Sequence, residues 1–213
     1  MAKKFTDVII ILDKSGSMHE LTEDTIGGFN SLIEQQKQEN SDSDVFVTTI
    51  LFNEKVKLVH DFAPIGEVPK LTTKEYVANG STALYDAVGF AIKHEDERIL
   101  SLAKKKKPLP NKTLIVITTD GYENASVKYK YEEIRELIEK RKEEGVNFLF
   151  IRANIDSDAF AEKIGVGSDY AFTVEKNSSG MKNMMSSVCD CIALCREEAN
   201  DIEIKKYIKK IKK

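Results

Sequence analysis

The sequence predicts an α/β protein of the three-layer, doubly wound kind, with a mostly parallel sheet and one antiparallel edge strand. Three observations carry this expectation. Near-continuous apolar runs, VIIIL at 8–12 and LIVI at 114–117, mark strands buried on both faces. Amphipathic helical stretches alternate with such runs along most of the chain, as parallel strands with helical crossovers require. One stretch departs from that rhythm: DVFVTTILFNEKVKLVHDF at 44–62 reads as two strands joined by a tight turn at Asn53-Glu54, an antiparallel pair.

Taken in order, residues 6–12 form the first buried strand. EDTIGGFNSLIEQQKQ then places Ile26, Phe29, Leu32, Ile33 and Gln36 at helical spacing. The hairpin follows, and after it a loop with Pro64, Gly66 and Pro69. Beyond NGST, Leu84, Ala87, Val88, Ala91 and Ile92 make one helix stripe. KKKKPLPNK reads as a surface loop, and TLIVITTDG as a second buried strand that ends in an acid. Ile134, Leu137 and Ile138 mark a helix, VNFLFIRA a strand, SDAFAEKIG a short helix and DYAFTV a short last strand. Met181, Met184, Met185, Val188, Ile192 and Cys195 then stripe a C-terminal helix. GVGSD at 165–169 has no helix after it, so a helix C-cap explains it better than phosphate binding.

At 213 residues the chain suits one domain with a sizeable core. The expected division is a body over 1–199 and a basic C-terminal tail over 200–213. No apolar run reaches membrane length, and the one near the N-terminus is too short for a signal peptide and ends in Asp13. Cys189, Cys191 and Cys195 are odd in number and crowded into CDCIALC, which fits a reducing compartment better than a disulfide framework. A cytoplasmic protein is the expectation. Residues 204–213 hold six lysines and no acid, so the other 203 residues carry −9 against −3 for the whole chain. An acidic body does not suggest a nucleic-acid-binding core.

Ligands of an open α/β sheet bind outside the carboxyl ends of its strands, where the winding switches direction. Three connections at that edge are rich in oxygen: DKSGS after the first strand, NGSTALYDA before a helix, and TTDGYEN after the fourth strand. They offer Asp13, Ser15, Ser17, Thr82 and Asp120, two carboxylates and three hydroxyls without imidazole or thiolate. That is a donor set for a hard cation, Mg²⁺ or Mn²⁺, and a poor one for zinc. With so few carboxylates the ion would stay electrophilic and keep a position open for an acidic ligand from outside.

The order Asp-x-Ser-x-Ser, then Thr, then Asp, resembles the metal-ion-dependent adhesion site of the von Willebrand factor type A domain, in its bacterial or cytosolic type. The resemblance covers about residues 5–197, including the LFNEKV hairpin. It implies a Rossmann-like sheet and a Mg²⁺ held directly by Ser15, Ser17 and Thr82, with Asp13 and Asp120 acting mainly through bound waters. It also implies a partner protein that supplies a Glu or Asp to the metal, in a recruiting or scaffolding role without catalysis.

The same residues fit other chemistries less well. DKSGS alone would serve as a helix cap. A phosphotransferase or phosphatase that uses a first-strand aspartate wants a second acid two residues on, where this chain has Ser15. A serine hydrolase wants Gly-x-Ser-x-Gly and a nearby base; His19, His60 and His94 are scattered and are expected at the surface. CDCIALC offers three thiols and no histidine, so a soft-metal site is not expected. The lysine-rich tail puts Ile204, Tyr207, Ile208 and Ile211 on one helix face. It would dock an acidic partner, a nucleic acid or an anionic membrane, or fray as a solvated terminus, and the last is the expectation.

Overall fold

The computed structural model describes residues 4–39, 43–153 and 156–212. Residues 1–3 of the basic N-terminus and Lys213 of the lysine-rich segment lie outside the described residues. The chain alternates β1 (Phe5–Asp13), α1 (Thr22–Gln38), β2 (Asp44–Phe52), β3 (Val56–Pro64), α2 (Leu84–Lys104), β4 (Lys112–Thr119), α3 (Tyr131–Glu143), β5 (Asn147–Ala153), α4 (Ser157–Lys163), β6 (Ala171–Val174), α5 (Ser178–Arg196) and α6 (Asp201–Ile211).

The six strands form one sheet in the order β3-β2-β1-β4-β5-β6. Every pairing is parallel except β2 with β3, the edge hairpin. All nine residues of β1 are buried, so its two alternating side-chain sets feed two separate cores. Val8, Ile10 and Leu12 join α1, α5 and α6 on one face. Ile9 and Ile11 join α2, α3 and α4 on the other. These are the three layers and the doubly wound topology that the sequence predicts. Winding switches between β1 and β4, so the loops after those two strands open side by side.

Two expectations need correcting. His60 is 7% exposed: it lies on β3 beneath α1, its ring stacked 6.0 Å from that of Phe29 and its Nδ1 3.0 Å from the Thr49 hydroxyl. Burial depresses its pKa. The lysine-rich segment does not fray either. Asn200 caps α6 by accepting from the amides of Ile202 and Glu203, and Ile204 and Ile208 are buried against the body. The apolar face of α6 finds a core that its lysines alone would not reveal.

α5 carries the methionine stripe as expected, with Cys189 and Cys191 buried beside Cys195. Burial pushes all three thiols up, Cys195 to about 12. All three are free, and among the described residues no three of His, Cys, Asp and Glu come together as a metal-binding group. Among the described residues, no helix is long and apolar enough to cross a membrane.

Candidate metal centre

The structure brings all five candidate residues to one place. Asp13 is the last residue of β1, and Asp120 directly follows β4. Both are buried, at 0% and 6% exposure. One Asp13 oxygen accepts from the amide of Ser15 at 2.7 Å and the other from the hydroxyl of Thr119 at 2.5 Å. The DKSGS loop thus folds back on the carboxylate that begins it. Burial raises Asp13 to a pKa of about 6 despite these hydrogen bonds. The hydroxyls of Ser15 and Ser17 lie 3.1 Å apart, and Ser17 donates to Asp120 Oδ1 at 2.5 Å.

Thr82 arrives from the second loop, two residues before α2. The amide of Gly16 donates to the carbonyl of Gly80 at 2.9 Å, and the amide of Asn79 to that of Lys14 at 2.9 Å. These bonds tie the first two loops together. The third loop grips the second more tightly. Asn124 accepts from the Thr82 amide at 2.9 Å and returns its own amide to the Thr82 carbonyl at 3.0 Å. Ala83, at the N-cap of α2, has no capping side chain. Glu123 supplies one from across the site by accepting from the amide of Tyr85, and Ser126 accepts from that of Asp86. Asp86 in turn accepts from the amides of Val127, Lys128 and Tyr129. The start of α2 and the loop after β4 are therefore one laced unit.

Gly121 shows how closely these loops meet. A Cβ there would lie 2.9 Å from Thr82 Oγ1 and 3.6 Å from Ser17 Oγ. The space beside Asp120 is thus bounded by two of the candidate hydroxyls. Hydroxyls and carboxylates converging on a place that one methyl group would invade suit a small hard cation.

Sequence reasoning missed the supporting residues. Tyr76 is fully buried and donates to the Asp13 carbonyl at 2.6 Å. Arg152, 1% exposed at the end of β5, donates to the Gly121 carbonyl at 2.8 Å and lies over the rings of Tyr122 and Phe160. Burial pulls its pKa down. The ammonium of Lys176 sits 2.7 Å from Asp120 Oδ2. Each reaches the site from a distant segment, and no local motif marks any of them.

A mostly parallel sheet with one antiparallel edge strand, helices on both faces and oxygen-rich loops meeting at the winding switch defines a class of Rossmann-like domains. Within it, the model of the von Willebrand factor type A domain matches residues 7–186. The chain belongs to that family. Domains of this family typically act as non-enzymatic modules in metal-dependent contacts between proteins, through a site that binds a divalent metal.

Solved structures agree on the fold. Proximal thread matrix protein 1 from the mussel byssus, with a zinc-occupied metal-ion-dependent adhesion site, is 18% identical with a TM-score of 0.57, over 89% of this chain and 48% of that one. A von Willebrand factor type A protein from Catenulispora acidiphila is 14% identical with a TM-score of 0.56, over 88% and 42%. The pilus adhesin SpaC of Lactobacillus rhamnosus GG, in an open conformation, is 12% identical with a TM-score of 0.64, over 90% and 30%. The chain thus spans less than half the length of each of these three proteins. Among curated proteins none matches this sequence.

Proposed function

We propose that Asp13, Ser15, Ser17, Thr82 and Asp120 form an intact metal-ion-dependent adhesion site through which this chain binds a protein partner. The observation that carries the reading is the convergence of three loops, so close that a Cβ at Gly121 would crowd Thr82 Oγ1 and touch Ser17 Oγ. Ser15, Ser17 and Thr82 would hold the ion directly, and Asp13 and Asp120 would hold it chiefly through water. Neutral hydroxyls leave the ion electron-poor, so it would take a Glu or Asp carboxylate from the partner as a further ligand. The all-oxygen donor set favours Mg²⁺ or Mn²⁺ over zinc, although the mussel relative carries zinc at its own site. The three free cysteines support a cytosolic setting for such a recruiting or scaffolding module.

Phosphotransfer has weaker support, because the position two residues beyond Asp13 holds Ser15 and not a second acid. Binding through the lysine face of α6 remains the other alternative, and it would be indifferent to metal. Turnover of a generic phosphoester, lost in Asp13→Asn, would mark the phosphotransferase, and calorimetric titration of EDTA-stripped protein separates a metal site from binding through α6. One Mg²⁺ or Mn²⁺ per chain is expected, weakened in Thr82→Ala by at least the roughly 10–100-fold that losing an outer-shell partner costs, and lost when Asp120→Ala removes one of the site's two charges. No binding to the wild type, with an acidic peptide present or absent, would remove the site from the account.

A further inference from the structure

The structure also places a cation of the chain's own at Asp120. Lys176 Nζ lies 2.7 Å from Oδ2, while Oδ1 accepts from Ser17, so both oxygens of this buried carboxylate are engaged from within the protein. The lysine side chain is only 26% exposed. Its backbone is held on both sides. It sits two residues after β6 ends at Val174 and directly before Asn177, whose side chain caps α5 by accepting from the amide of Gly180 at 2.8 Å. The ammonium therefore has a short, fixed route to the carboxylate, unlike a surface lysine that swings in solvent.

We propose that Lys176 is a built-in competitor of the divalent cation, setting how much free metal the site needs before it loads. This rests on the reading of the five residues as a metal site. A divalent ion beside Asp120 and an ammonium in contact with the same carboxylate repel each other at close range, where water screens them poorly. Loading must therefore break the Lys176–Asp120 pair and turn the ammonium away, and that cost is subtracted from the affinity for the metal. In the metal-free protein the same pair neutralises a buried charge that would otherwise be costly to keep.

The test uses the full chain, stripped with EDTA and titrated with MgCl₂ or MnCl₂ by calorimetry, in the wild type, Lys176→Gln, Lys176→Met and Asp120→Ala. Neutralising Lys176 should tighten metal binding by roughly tenfold, the scale of one partly buried ion pair. It should also lower the melting temperature of the metal-free protein and enlarge the rise that saturating metal produces. The two neutral variants differ in polarity, so one serves if the other folds poorly. Equal or weaker affinity in the neutral variants would overturn the competition and leave the metal site standing. Silence in the wild type and both Lys176 variants alike would overturn the metal site itself, and the competition with it.

Discussion

Gly121 is where one hydrogen atom decides whether the loops can meet. A Cβ there would stand 2.9 Å from Thr82 Oγ1, so the loop after β4 sits where it does only because the side chain is missing. Gly121→Ala should therefore push Thr82 Oγ1 outward by about half an ångström, to the limit of the error such constellations tolerate, and weaken divalent binding about tenfold. The melting temperature of the metal-free protein should move little, because the change lies at a loop mouth away from both cores. Titration and thermal melts on one sample check both halves. At this scale the candidate site was readable where its residues are local: Asp13, Ser15 and Ser17 fall within one five-residue string. Lys176, Tyr76 and Arg152 were not readable, because each owes its place to tertiary contacts that no neighbour in the chain announces. His60 departs from its expected surface position for the same reason. A histidine on an edge strand faces solvent unless a helix covers it, and here Phe29 of α1 does.

Among the elements, α6 departs furthest from expectation. Its four-residue apolar spacing was legible, but whether a core awaited that face depends on the groove left beside α5. Ile208 is 0% exposed within the same cluster as the methionine stripe, and Tyr207 donates to Asp190 of α5 at 2.6 Å. Ile208→Ala should cost about 2–4 kcal/mol of unfolding free energy in urea, as buried aliphatic truncations do. A loss below about 0.5 kcal/mol would mean that α6 is not docked in solution. The long helices were easier to read, because a stripe such as Leu84–Ala87–Val88–Ala91–Ile92 has the same period in sequence as in space. The lacing of α2 to the loop after β4 by Glu123 and Asp86 was not, since acids near a turn are ordinary until their amide partners are seen.

At the scale of the whole molecule, strand order and chemistry lead to the same place. The winding switches between β1 and β4, and the two strands deliver Asp13 and Asp120 side by side at their carboxyl ends. The alternation of buried strands and amphipathic helices made the topology legible, since parallel neighbours need crossovers and only the hairpin escapes that need. Arginine and lysine chemistry around the candidate site was hidden, because charge balance at a site emerges only once distant loops are assembled. The most direct test of the account is water-proton relaxation during titration with Mn²⁺, in the wild type and in Asp120→Ala. A metal-ion-dependent site should give one bound Mn²⁺ with a strong enhancement in the wild type, falling as a glutamate-containing peptide displaces water from the ion, and no such signal in the variant. Equal relaxation in the two proteins, or a loaded ion indifferent to carboxylate, would contradict it.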